Sequence, residues 1–243
     1  MPKSAPSVSF IIPCYNSSEA LRLNIEYLIS NLKKSNISFE IIIIDDGSLG
    51  KEKEITKSIA FENDLKYFYL PKNKGKGAAL RFGFREAIGE IIFFTDSDIP
   101  YEFDSIEKSF YAIKHQGIDI AMGDRSLSRE RYGAKVGFKR SFFSQLYTYA
   151  TIPLLGKKID TQVGLKAFRA NIGKTLFEKT KTNRFAIDTE IALVAIFMNL
   201  QICFVPVDLR SQDGKSVDVF KDGVIMLLDL VRILFYKIFK FYS

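Results

Sequence analysis

Four short apolar runs constrain this chain more than any other feature, because each ends in a polar turn and each is separated from the next by helical periodicity. Val8–Ile12 leads into Pro13-Cys14-Tyr15-Asn16, and Phe39–Ile44 leads into Asp45-Asp46-Gly47-Ser48. Leu65–Leu70 leads into the basic glycine loop Pro71–Gly77, and Ile91–Thr95 leads into Asp96-Ser97-Asp98, which Pro100 closes. Runs this short, rich in Ile and Phe, suit strands buried on both faces. The intervening segments Ser17–Lys34, Lys51–Asn63 and Ala78–Ile88 read as helices, the first capped by Ser17-Ser18-Glu19. Strand and helix in alternation predict an α/β fold with a doubly wound, mostly parallel sheet.

The remainder continues in the same style with more irregular stretches. Tyr101–Gln116 and Phe185–Asn199 predict helices, Ile118–Met122 predicts a strand, and Ile159–Phe168 predicts extended chain. Ile202–Leu209 predicts an edge strand, because Pro206 cannot donate to a ladder. Residues 126–139 are polar and read as a loop, and Ser141–Gly156 is an uncharged run. Lys221–Tyr242 predicts a last helix. No linker or repeat divides the chain, so we expect one domain over 1–218 with a C-terminal amphipathic extension over 219–243.

Composition removes several function classes. The 243 residues are 47% apolar, enough for a full core. The single histidine, His115, rules out Ser-His-Asp or Cys-His nucleophilic mechanisms. The two cysteines, Cys14 and Cys203, have no metal-ligand spacing and suggest a reducing compartment. Met-Pro-Lys-Ser at the N-terminus does not read as a signal peptide. Gly75-Lys76-Gly77 is not a P-loop, and no Gly-x-Gly-x-x-Gly follows the first strand. Residues 1–124 carry 15 Lys/Arg and 18 Asp/Glu, whereas residues 125–243 carry 20 and 10. The basic second half implies an anionic partner. The acidic strand ends and the negative first half argue against nucleic acid.

In an open α/β sheet, ligands collect beyond the carboxyl ends of the strands, so the four polar turns should meet at one edge. Asp96 and Asp98 then form a seat for a hard divalent cation, Mg²⁺ or Mn²⁺, on one side of a rigid strand. Asp45 offers acceptors to a base or ribose, beside Gly47, and Tyr15 offers a ring for stacking. Lys76 and the bare backbone N–H groups at a helix N-terminus suit phosphate. Together these parts fit a nucleotide sugar with a diphosphate.

The runs Val8–Asn16, Asp45–Ser48, Asn73–Gly77 and Asp96–Asp98 resemble family 2 glycosyltransferases of the GT-A fold. Asp160-Thr161-Gln162-Val163-Gly164-Leu165-Lys166-Ala167-Phe168 is similar to a motif of the polyprenyl-phosphate and dolichyl-phosphate sugar synthases. Phe185–Glu190, Val205-Pro206-Val207 and Gly214-Lys215-Ser216 also match that subgroup, nearest the dolichyl-phosphate glucosyltransferase type. The chain departs from many relatives at Ser17, where they carry Glu, and at Asp124, where they carry Ser.

The resemblance implies a Rossmann-like GT-A domain and inverting transfer of a hexose from a nucleotide sugar, UDP-glucose first, to a polyprenyl or dolichyl phosphate. It implies nucleotide contacts at Pro13, Cys14, Tyr15, Asn16, Asp45, Gly47, Lys76 and Asp96, with metal at Asp96 and Asp98. It implies Arg125, Arg140, Lys166, Arg210 and Lys215 around the acceptor phosphate, and Gln162 in the metal or diphosphate shell. Asp188 stands where a hydroxyl-acceptor relative would use a base, which keeps a hydroxyl acceptor as the alternative. A membrane-associated nucleotide-binding protein without turnover is the other reading.

The acceptor chemistry has a physical basis of its own. A phosphate monoester has its second pKa near ~6, so it is already a nucleophile at neutral pH. Such a reaction needs positioning and charge neutralisation rather than a strong base.

The last helix is broken by charges at Asp222, Asp229, Arg232 and Lys237, against the ~20 apolar residues of a spanning helix. Its stripe of Val224, Leu227, Leu228, Leu230, Val231, Leu234, Phe235, Ile238 and Phe241 predicts an interfacial or core-packed helix, with Asp222, Asp229, Arg232 and Lys240 opposite. We expect a peripheral enzyme on the cytoplasmic face of a membrane, with Ser141–Gly156 as a second lipid contact.

Overall fold

The computed structural model describes residues 5–127, 138–210, 219–239 and 241–242, with side chains described in those spans except at 138–145 and 219–224. Seven strands, β1 (Val8–Cys14), β2 (Phe39–Asp45), β3 (Lys66–Tyr69), β4 (Ile91–Phe94), β5 (Ile120–Asp124), β6 (Lys166–Arg169) and β7 (Ile202–Pro206), form one sheet in the order β3-β2-β1-β4-β6-β5-β7. All described pairings are parallel except those of β6, which runs antiparallel to β4 and β5. β7 lies at the edge, where Pro206 is tolerated.

Helices cover both faces: α1 (Ser18–Lys34), α2 (Gly50–Glu62) and α4 (Phe103–His115) on one, and α3 (Lys76–Glu86), α5 (Phe138–Leu155), α6 (Ala170–Lys179), α7 (Ile187–Phe197) and α8 (Val219–Ile238) on the other. Successive strand residues alternate between the two layers. Phe93 stacks on Phe10 at 4.7 Å beneath α1, whereas Phe94 turns the other way towards Phe168, at 6.0 Å. Phe84 and Phe177 stack at 3.8 Å in that second layer. With no Trp in the chain, phenylalanine supplies the bulk of these cores.

Three local features differ from the sequence expectation. Ser17 makes no side-chain cap; the first turn of α1 is met instead by Glu52, whose Oε2 accepts from Ser18 N at 3.0 Å and Ser18 Oγ at 2.8 Å. A carboxylate from the next helix thus complements the positive helix end. Of the extended stretch expected over 159–168, only Lys166 onward is strand; residues 161–162 form a turn. α6 is an additional helix.

α8 packs on α5 through a face that includes Leu230 and Ile233, with Asp229 buried there and paired to Arg232 at 3.0 Å. The expected polar side is therefore wrong for Asp229, which points inward. Leu228, Val231, Phe235, Ile238 and Phe239 are exposed instead. Tyr242, beyond the helix, returns to the core and is 3% exposed.

The strand order reverses between β1 and β4, the switch point at which open α/β sheets hold ligands in a crevice beyond the carboxyl ends of the strands. The antiparallel β6 brings the 160–165 turn to the same edge, because Lys166 pairs with Phe94.

Candidate active site

β4 ends at Phe94, so Asp96 and Asp98 belong to a turn and not to the strand, contrary to the expectation of a strand-held pair. The turn is held by Ile99 N, which donates to Asp96 O at 3.0 Å. Ile99 has φ +41° and is buried. A β-branched residue in the left-handed region is strained, and such strain concentrates at functional sites. Asp96 has a 40% exposed side chain. Its carboxylate rests on Gly164, where an added Cβ would lie 1.8 Å from Asp96 Oδ2. The glycine is thus the recess that admits the carboxylate. Gly164 N in turn donates to Tyr101 Oη at 2.6 Å.

Beside this turn lies a chain of charges. Lys76 Nζ sits 3.0 Å from Asp96 Oδ1 and 3.1 Å from Asp188 Oδ2. Lys166 Nζ contacts Asp188 Oδ1 at 2.6 Å and donates to Thr161 O and Val163 O at 3.0 and 2.7 Å. Both ammonium groups lie over the Phe94 ring, at 5.5 and 5.2 Å from its centre. Burial alone would raise the Asp188 carboxyl, but the Lys166 and Lys76 charges outweigh it and hold it below its ordinary range. Burial likewise opposes the charge on Lys76, yet Asp188 and Asp96 raise it above the ordinary lysine range.

The glycine loop is built against its neighbours. Gly47, at φ +80°, allows close approach: a Cβ there would meet Asn73 N at 2.6 Å. Asp46 accepts from Lys74 N at 2.9 Å and Gly75 N at 2.6 Å, and Asn183 O accepts from Gly77 N at 2.7 Å. The N–H groups of Lys74, Gly75 and Gly77, expected to be bare for phosphate, are therefore occupied. What the loop presents at the crevice is the Lys76 ammonium.

Several predicted contacts are internal. Asp45 is fully buried, with Oδ1 accepting from Ser48 N at 2.8 Å and Oδ2 from Tyr67 Oη at 2.9 Å, so both oxygens serve the fold. Cys14 is buried in the core; burial, then Asp45, pushes its thiol up to about 12, and its carbonyl accepts from Asp46 N. Pro13 pairs in register with Ile44. Asn16, at φ +47°, links the first two turns, with its N donating to Ser48 Oγ and its Oδ1 accepting from Leu49 N. Tyr15 is exposed at the lip.

The basic residues divide. Arg125 makes a two-point pair with Asp160, at 2.7 and 2.9 Å. Arg210 lies over the Tyr27 ring at 4.1 Å and donates to Asn24 on α1, and its backbone N donates to Pro100 O at 2.8 Å, just after the Asp96–Asp98 turn. Lys166 is 1% exposed with its three contacts made inside, so it supports Asp188 and does not face an acceptor. Gln162 is partly exposed beside Thr161. Lys215 and the side chain of Arg140 lie outside the described residues.

Builders of the site beyond the predicted contacts are Asp46, Gly164 and Asn183, together with Glu190 in a structural role. Glu190, fully buried, accepts from Lys181 N, Thr182 N and Thr182 Oγ1, and so fixes the segment that holds the glycine loop. Among the described residues, no three His, Cys, Asp or Glu side chains converge as a metal centre. The arrangement offers two hard carboxylates at a recessed turn and one ammonium beside them, which suits a cation paired with phosphate oxygens.

Comparison with known proteins bears on the family and the fold. The family model described as Glycosyl transferase family 2 matches residues 9–172. A dolichyl-phosphate beta-glucosyltransferase of Dictyostelium discoideum is 31% identical over 94% of this chain and 74% of its own length. Among solved structures, glucosyl-3-phosphoglycerate synthase from Mycobacterium tuberculosis, in complex with UDP, superposes with TM-score 0.66, covering 93% of this chain and 80% of that one at 19% identity. The mannosyltransferase PcManGT from Pyrobaculum calidifontis, with GDP-Man and Mn²⁺, gives TM-score 0.51 over 93% and 70%, at 17% identity. At these identities the structural likenesses establish the GT-A fold alone.

Proposed function

The chain belongs to glycosyl transferase family 2, and from that membership we propose that it transfers glucose, with inversion, from UDP-glucose to a polyprenyl or dolichyl phosphate at a membrane surface. The name of the Dictyostelium relative supports the sugar and the acceptor class. The observation that carries the choice of acceptor is Asp188. Both of its oxygens are taken by ammonium groups and it is 2% exposed. A carboxylate so held is a poor proton acceptor, which disfavours a hydroxyl acceptor with Asp188 as base. A phosphate acceptor needs no such base, since its second pKa is near ~6.

In this reading an acceptor phosphate oxygen attacks the anomeric carbon from the face opposite the leaving diphosphate. The bond from that carbon to the β-phosphate oxygen breaks, and UDP leaves with the electron pair. Asp96 and Asp98 would hold Mg²⁺ or Mn²⁺. The recess at Gly164 and the exposed Asp96 carboxylate fit that role. When bound, the cation neutralises charge growing on the leaving diphosphate. Lys76 adds a second positive charge on the diphosphate, Tyr15 stacks on the base, and Arg125 and Arg210, with Arg140 and Lys215, guide the acceptor phosphate.

Attachment to the membrane is peripheral, on the cytoplasmic face. No helix among the described residues is long and apolar enough to cross a bilayer, and α8 exposes Leu228, Val231, Phe235 and Ile238. Basic residues near anionic lipid add roughly 1 kcal/mol each. The free thiols Cys14 and Cys203 suit a reducing compartment.

The test presents UDP-glucose and Mg²⁺ to the protein with polyprenyl phosphate or polyprenol in mixed micelles. Glucosylated lipid is expected with the phosphate only. Transfer to the alcohol at a comparable rate would overturn the acceptor assignment, and nucleotide binding without any turnover would leave only a binding protein.

A further inference from the structure

We infer that Lys76 is the resident counter-ion of Asp96, displaced when a divalent cation arrives and then turned to the donor diphosphate. This rests on the proposed metal role of Asp96 and Asp98. Lys76 is the first residue of α3, and its backbone is anchored on either side by Gly75 N to Asp46 and Gly77 N to Asn183. Only its side chain is left to move. The ammonium is shared almost equally between Asp96 Oδ1 at 3.0 Å and Asp188 Oδ2 at 3.1 Å.

The two ends of this bridge differ. Asp96 is 40% exposed at the crevice, whereas Asp188 is 2% exposed and has a second partner in Lys166. A cation arriving from solvent therefore meets Asp96 first and finds an ammonium already there. Two like charges cannot share that carboxylate closely without mutual repulsion. Asp188 gives the displaced ammonium a place to remain, and an incoming diphosphate gives it a new anionic partner. Lys76 thus opposes binding of the bare cation and favours binding of the cation with nucleotide. The site is biased towards loading metal and donor together.

The experiment measures Mn²⁺ binding by electron paramagnetic resonance, with and without UDP, in wild type, K76M, K76Q and K76R. Asp188 keeps Lys166 in every variant, so none leaves a buried carboxylate unpaired, and thermal melting checks that each is folded. Without UDP, K76M and K76Q should bind Mn²⁺ at least about fivefold more tightly than wild type; with Mn²⁺ present, they should bind UDP at least about fivefold more weakly, within the usual range of site coupling. K76R, which keeps the charge, should stay near wild type in both. A purely structural lysine would move both affinities in the same direction. Bare-Mn²⁺ affinity unchanged or weakened in K76M would overturn the inference. Absence of Mn²⁺ binding in wild type, with or without UDP, would instead remove the metal reading and the inference together.

Discussion

Lys166 and Asp188 illustrate how far single residues can be read from sequence. Lys166 stands in a basic half of the chain and reads as a phosphate contact, yet its ammonium is spent on Asp188 and two carbonyls. Sequence gives the charge but not the partner. Asp45 shows the same limit, since one oxygen closes a local turn with Ser48 N and the other is taken by Tyr67 on the neighbouring strand. Asp96 was legible, because its place after a buried run sets its exposure. Removing one member of a buried ion pair typically costs about 3–5 kcal/mol. Asp188 keeps one lysine in either variant, but K166M also strips the Thr161 and Val163 carbonyls of their donor, so K166M should lose stability towards that range by urea denaturation and K76M clearly less. The Asp188 carboxyl is held below its ordinary 3.8 in the fold, so its contribution is fully present above that value and is lost as pH falls through the lowered one. The stability gap between wild type and D188N should therefore be constant near neutrality and narrow below about pH 4. At Gly164 the new methyl of G164A would meet Asp96 Oδ2 at 1.8 Å. We predict at least a ~100-fold loss of transfer, comparable to misplacing a catalytic group by 1 Å, with Mn²⁺ affinity reduced as well. Unchanged transfer would remove Asp96 from the site.

Elements were read more reliably than contacts. Buried strands announce themselves as apolar runs, and β1, β2 and β4 lie where those runs lie; the edge strands β3 and β7, only partly buried, also fall on their predicted runs. α6 was not announced, because Asn171, Gly173 and Thr175 are poor helix formers; its reason to be helical is Leu176 and Phe177 packing under Phe84 and Phe168. The apolar stripe of α8 was visible, but its rotation was not. Burial of Asp229 with Leu230 and Ile233 turns Val231, Phe235, Ile238 and Phe239 to solvent. These exposed side chains contribute little to folding. Replacing Val231, Phe235 and Ile238 together by Gln should leave the melting temperature within a few degrees of wild type and abolish flotation with anionic liposomes. Flotation unchanged by the triple substitution would move the membrane contact elsewhere.

At the scale of the molecule, the sequence was sufficient for the α/β class and for the edge where the polar turns meet. It placed extended chain up to Phe168 but did not reveal the antiparallel insertion of β6 between β4 and β5, which delivers Gly164 to Asp96 and Lys166 to Asp188. Nothing in a four-residue run states which strands it will separate. That insertion joins the exposed Asp96 carboxylate, the Lys76 ammonium and the buried Asp188 carboxylate into one site at the switch of strand order. The central claim is that this site transfers a hexose to a lipid phosphate. The most direct measurement offers a panel of nucleotide sugars to the purified protein with a membrane lipid extract and Mg²⁺, and reads the lipid products by mass spectrometry. The account predicts a polyprenyl-phosphate species heavier by one hexose, formed from UDP-glucose and absent with D98A. Release of free sugar with no lipid-linked product, or equal product from D98A, would contradict it.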